Sequence, residues 1–209
     1  MDRRYRTRRS SFRASRIDGV LAIDFANTVA CDACGVGDAL RGSREFEKWL
    51  RARPEVGVRS LTDGELTRLR AFRRDLRATL RAAARQTRPP SWALGAVNRA
   101  ARRFRRIRAL RWRGGTWAVE ERKPVSDPVV RLTGELCESA FGAITGKGTG
   151  RLRECQGSRC AHFILARTRA QLWCSPTGCG NRARVARHYW RSRSRTRRTA
   201  AMAGPSPSR

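Results

Sequence analysis

Acidic residues are scarce beside basic ones in this chain. Seventeen Asp and Glu face 47 Lys and Arg over 209 residues, a formal charge of +30. Lysine is rare too, since 44 of the 47 basic residues are arginine. The codon bias of a GC-rich genome accounts for arginine over lysine, but not for the shortage of acids. A surplus of that size calls for a polyanionic partner or a strong solubility role. No membrane-inserting apolar helix face accompanies the charge, so the partner expected is nucleic acid. Histidine is nearly absent, with two in the chain, and no nucleophile–base pair or Gly-rich phosphate loop is found, which argues against an enzyme. Long apolar runs are missing as well. Val20-Leu21-Ala22-Ile23 stops at Asp24, too short for a signal peptide or a membrane span,. A reduced, cytoplasmic setting follows, and no membrane partner.

What the chain does have is apolar content, 40% of its residues, enough for one core-bearing domain and a small appendage,. It also has cysteine. Cys155-x4-Cys160 and Cys174-x4-Cys179 are spaced as the two halves of a tetrahedral zinc site,. Two disulfides are the competing reading, weakened by the reducing compartment. Four thiolates close the coordination sphere, so a single bound Zn2+ would be structural rather than catalytic. His162 could replace one thiolate, but four cysteines already complete the tetrahedron. Cys31-x2-Cys34 has the form of half a metal or redox motif. With Cys137 as its one unclaimed companion and no βαβ pattern around it, the pair reads as a surface loop with two thiols.

The fold class expected is α+β: a mostly helical N-terminal domain with a β-hairpin, then a small four-cysteine zinc module ending in a basic helix. Residues 1–16 read as a disordered basic arm, 17–148 as the first domain, 149–195 as the module and 196–209 as a disordered tail. Val20 to Thr28 reads as a buried strand or strand-to-helix turn. Asp24 and Asn27 within it are the nearest candidates for a site in this domain, with turn or capping chemistry as the ordinary explanation. Helices are expected over Ser43–Arg51, from the capping box Thr62-x2-Glu65 to about Arg85, from Ser91 with the stripe Leu94, Val97, Ala101, Phe104, and after Ser126-Asp127-Pro128. Ile107–Arg113 and Thr116–Glu121 alternate around Gly114-Gly115 as a hairpin. The arginines Arg68, Arg70, Arg73, Arg74, Arg77 and Arg81 read as a solvated helix face.

From Arg151 onward there are 14 arginines and one acid, Glu154, so the positive field and the cysteines coincide. Between the cysteine pairs, Phe163, Leu165, Leu172 and Trp173 can build only a very small core, which a structural zinc would have to support. After Cys179, Asn181 is placed to cap a helix with Val185 and Tyr189 on a packing face. Arg184, Arg187, Arg191, Arg195 and Arg198 then share another face. Arg182, Arg184, Arg187, His188, Arg191 and Arg195 are the candidate nucleic-acid contacts.

Cys155, Cys160, Trp173-Cys174 and Cys179-Gly180-Asn181-Arg182 resemble the CGNR-type zinc finger. Leu21-x-x-Asp24-Phe25-x-Asn27-Thr28 resembles the opening signature of the ABATE domain that precedes this finger. The resemblance covers most of residues 20–195. It implies a bacterial, stress-associated transcription regulator whose C-terminal finger binds DNA; the double-stranded DNA expected as partner places it at the nucleoid, and a homodimer is compatible with it. The chain departs from the common finger pattern at Ile164-Leu165, Gln171-Leu172 and Pro176. Three alternatives to a DNA-reading regulator stand beside it: a nonspecific RNA- or nucleoid-binding protein, an enzyme, and a zinc-clipped protein-interaction module.

Overall fold

In a computed structural model, residues 20–31, 34–58, 60–104, 107–113, 116–122, 126–146 and 151–202 are described. The expected disordered arm and the last residues of the expected tail, as well as the Gly114-Gly115 turn, lie outside them. The chain is α+β. Helices α1 (Leu21–Ala26), α2 (Ser43–Arg51), α3 (Asp63–Arg85) and α4 (Ser91–Arg103) are followed by the hairpin β1 (Ile107–Arg113) and β2 (Thr116–Arg122). Then come α5 (Pro128–Ile144), a second hairpin β3 (Arg151–Glu154) and β4 (Phe163–Ala166), and α6 (Cys179–Met202). Both hairpins are antiparallel two-stranded sheets.

Local sequence places the long helices. Thr62 accepts from the Glu65 amide while the Glu65 carboxylate reaches back to the Thr62 amide, a complete capping box,. The Asp127 carboxylate accepts from Val129 and Val130 ahead of Pro128 at the first turn of α5,. At Gly134 of α5 a Cβ would run into the Phe104 ring, so the missing side chain lets α4 and α5 close together. Ser91 is the first residue of α4. The buried stripe there is Ala93 and Val97, which leaves Leu94 exposed.

Val20 to Thr28 is not a strand. Leu21–Ala26 forms α1, whose Ala22 amide donates to the Ser139 hydroxyl of α5 at 3.0 Å. A short apolar run fits a buried strand or a buried helix equally. Packing against α5 and α3 on several sides decides for the helix. Around α1 the core gathers Phe25, Phe46, Trp49, Leu66, Leu69, Leu76, Leu132 and Leu136. Phe25 meets the Trp49 edge at 5.8 Å and Phe46 stacks on Trp49 at 5.3 Å,.

That core does not end at the helical region. Leu152, Phe163 and Leu165 of the β3–β4 hairpin belong to the same buried cluster as α1, α3 and α5. The expectation of a very small separate core in the cysteine module is therefore corrected: Phe163 and Leu165 are buried against the helices, while Leu172 and Trp173 stay half-buried. Asn27 fastens the join. Its side-chain amide donates to the Phe163 carbonyl at 2.8 Å, and its carbonyl accepts from the Phe163 amide at 2.7 Å. It thus pairs with β4 as a strand neighbour would.

The α3 arginines are a second correction. Rather than forming a solvated face, Arg73 holds Asp38 through two bonds of 2.7 Å. Arg70 donates to the Leu40 and Arg41 carbonyls, and Arg77 reaches both the Ala26 and Ala161 carbonyls. Arg81 and Arg85 clasp Glu154 of β3 at 2.7 and 2.9 Å. Helical periodicity separates apolar from charged positions, but it cannot see a hairpin from far along the chain arriving beside the charged ones.

Burial alone would raise the Asp38 and Glu154 carboxyls, yet the bonds from Arg73, and from Arg81 and Arg85, outweigh it and hold both below the ordinary carboxylate range. Arg68 does the same for Asp127. A depressed folded-state value contributes stability above the unfolded-state value and loses it as pH falls through the folded one. Urea midpoints should therefore decline steadily below about pH 4.5, where unfolded carboxylates begin to take up protons. Glu154→Gln should flatten part of that decline, as a midpoint-versus-pH series will show.

Candidate metal centre and nucleic-acid interface

The two predicted cysteine pairs lie at opposite ends of the β3–β4 region and return to one place. Cys155 follows β3, and its amide donates to the His162 carbonyl at 2.9 Å. Cys160 closes a turn onto Gly157. Cys174 precedes the short turn Ser175–Gly178, and Cys179 opens α6. At Gly157 a Cβ would stand 2.8 Å from the Cys179 Sγ, so the turn needs glycine for the sulfurs to meet.

A compact four-sulfur group forms from Cys34, Cys160, Cys174 and Cys179, all within 4.8 Å of one another. The Cys34–Cys160, Cys34–Cys179, Cys160–Cys174 and Cys174–Cys179 separations are 3.4, 3.9, 3.8 and 3.6 Å. Four thiolates around a zinc at roughly 2.3 Å make a tetrahedron with edges of about 3.8 Å. The sulfur spacings in this cluster are therefore those of thiolates gathered on zinc,. Cys155 adjoins this group through Cys160 and Cys174. Its Sγ accepts the Gly157 and Cys174 amides at 3.4 and 3.3 Å.

The protons on these sulfurs point the same way. Hydrogen bonds from Cys160 and then Cys174 hold the Cys155 thiol far below its ordinary value. Bonding to Cys155 pushes Cys160 and Cys174 up, and burial pushes Cys34 up to about 12. A divalent ion takes the place of those protons. Arg182 completes the surroundings, donating to the Cys179 Sγ at 3.0 Å, so this candidate nucleic-acid contact also serves a sulfur.

Cys31 and Cys34 are not a surface loop. Cys31 is buried and Cys34 half-buried against the cluster. The signal was present as Cys-x2-Cys, but its destination more than a hundred residues away was not. Cys137, its supposed companion, is buried in α5, donates to the Val97 carbonyl at 3.4 Å, and is pushed up to about 12 by burial. Asp24 is bound to Arg53 at 2.9 Å, with both side chains almost fully buried. With Asn27 on β4, neither residue of the N-terminal candidate pair faces an open site.

Helix α6 carries the remaining candidates. Its 24 residues span about 36 Å at helical rise, and it continues to Met202, past the point where a disordered tail was expected. Asn181 is its third residue rather than its cap. Val185, Tyr189 and Trp190, expected in part to pack, are 60, 53 and 64% exposed, because the helix leaves the body of the protein after its first turn. Arg184 donates to the Pro176 carbonyl at 3.0 Å. Arg187, His188 and Arg191 are exposed, without hydrogen-bond or ion-pair partners among the described residues. Arg195 continues the stripe in sequence.

Among the described residues no helix is long and apolar enough to cross a membrane. No curated protein matches the chain. Residues 19–147 match the ABATE family model, described as "putative stress-induced transcription regulator", and residues 151–192 match the CGNR zinc finger. The chain therefore belongs to the ABATE family, with a CGNR zinc finger following the domain that defines it.

Proposed function

We propose that this protein is a DNA-binding transcription regulator in which a structural zinc holds the base of an arginine helix against the helical domain. The observation that carries the reading is the join at Cys179: the residue that closes the sulfur cluster is also the first residue of α6. Cys155, Cys160, Cys174 and Cys179 hold the ion. Cys155 is assigned to it because two backbone amides already aim at its sulfur. The zinc supplies fixed geometry and no open position for chemistry.

From that base, Arg184, Arg187, Arg191 and Arg195 recur at steps of three and four along one stripe of a helix without a single acid,. Arginine forks at this spacing suit successive phosphates of a duplex, and those near the helix start suit guanine edges in the major groove. The helical domain, residues 17–148, acts as the platform, and residues 149–195 are the DNA-binding module. A cytoplasmic, nucleoid-associated setting follows from the partner. Replacing Arg184, Arg187 and Arg191 together by alanine should leave bound zinc and the thermal midpoint unchanged and weaken duplex binding. The slope of log K against log salt should become shallower by about 3, near 0.9 for each phosphate that is no longer neutralised. An unchanged slope would remove α6 as the DNA-binding element.

A further inference from the structure

We infer that Cys31, Cys34 and His162 form a second metal site, for a zinc-type divalent cation, beside the finger's own and partly built by the N-terminal domain. Three observations converge on it. The first is proximity: the sulfurs of Cys31 and Cys34 and a ring nitrogen of His162 lie within 4.8 Å of one another.

The second is an unsatisfied group. His162 is 5% exposed, and neither its Nδ1 nor its Nε2 has a hydrogen-bond partner among the described residues. A buried imidazole with both nitrogens unpaired is costly. Coordination through one nitrogen removes that cost, and imidazole with thiolates is an ordinary zinc donor set.

The third is the shape of the loop. The Cys34 amide donates to the Cys31 carbonyl at 2.8 Å, and the Cys31 amide pairs with Val36 at 2.8 Å. Gly35 turns the chain at φ +64°, a left-handed conformation that glycine adopts without strain. This tight turn brings both sulfurs of a Cys-x2-Cys to the same side as His162. A pair of incidental thiols needs neither the turn nor the histidine.

Cys34 is the sulfur common to both groups, 3.4 Å from Cys160 and 3.9 Å from Cys179. A thiolate has lone pairs enough to bind two cations. The thiolates of both groups carry more negative charge than two Zn2+ neutralise. Arg77, bound to the Ala161 carbonyl at 2.7 Å, and Arg182, on the Cys179 Sγ, stand beside them as counter-charges. The inference rests on the finger's ion being held by Cys155, Cys160, Cys174 and Cys179, but it does not depend on DNA binding. Its structural consequence is a metal link between the two matched regions of the chain.

The test is metal content of the full-length, reduced protein, loaded with zinc and passed through a desalting column. The expected result is two Zn per chain, falling to one in His162→Ala and in Cys31→Ser. Cadmium substitution of the unaltered protein gives a readout that no variant's folding can spoil: two 113Cd resonances, one with all-sulfur ligation and one with nitrogen among its ligands. One zinc in the unaltered protein, with a single cadmium resonance, would overturn the second site and leave the finger standing. Two zincs that persist in both variants would overturn the assignment of these residues. No retained zinc at all would overturn the finger and the second site together.

Discussion

Stripping the metal from the reduced protein should destabilise the whole chain in a single cooperative transition. A free-standing zinc module would melt alone and leave the helices intact. Here Leu152, Phe163 and Leu165 are part of the core formed by α1, α3 and α5, and Glu154, two residues from the hairpin's hydrophobic anchor, is clasped by Arg81 and Arg85 of α3. A structural zinc contributes roughly 10–16 kcal/mol of apparent binding free energy to such units. A typical domain has a net stability of only about 5–15 kcal/mol. Even a fraction of the metal's contribution, transmitted through the shared core, is thus a large part of the total. Far-UV circular dichroism of the zinc-loaded and chelated protein should show one transition displaced by tens of degrees, and Cys174→Ser should behave as the chelated form does. An unchanged helical transition after chelation would mean that the hairpin's burial is not energetically coupled to its metal.

Asn27→Ala should produce the second large effect. The substitution removes the side chain that satisfies both the amide and the carbonyl of Phe163, and all three groups are buried. An unpaired buried backbone group costs about 1–3 kcal/mol, so the loss expected is about 2–6 kcal/mol for the pair. Asn27→Asp keeps an acceptor for the amide but loses the donor to the carbonyl, and adds a buried charge, so it should be no milder. Urea denaturation measures the stability change. Zinc release to a chromophoric chelator measures the coupling, and should be faster in Asn27→Ala because β4 leads back to the cysteine cluster. Equal release rates would confine Asn27 to the helical region's stability.

Asn27 also marks where sequence and structure part. Thr62 with Glu65, and Asp127 with Pro128, announce their helices because a cap is a local device, made within four residues,. The cysteine spacing announces a metal module for the same reason. Asn27 carries no such signal. A polar residue beside an apolar run reads as turn chemistry, and its true partner is Phe163, which only the folded chain brings near. Arg73, Arg77 and Arg81 escape a sequence reading on the same ground: their partners Asp38, Ala161 and Glu154 sit on other elements. Cys34 is the sharpest case, since its neighbours Cys160 and Cys179 are distant in sequence and a lone Cys-x2-Cys is ambiguous. Helix α6 is legible as a basic helix, but its exposure is not. Val185 and Tyr189 fall on one face in sequence, yet the body of the protein offers that face nothing to cover it.

The experiment closest to the central claim is selection of the reduced, zinc-loaded protein against a random duplex library at physiological salt with excess nonspecific competitor. A DNA-reading regulator should enrich a defined motif, and the enrichment should vanish on chelation and in the Arg184/Arg187/Arg191 alanine variant. Binding that persists without any enriched motif would contradict sequence reading and reassign the arginines of α6 to phosphates alone, as in a nonspecific RNA- or nucleoid-binding protein.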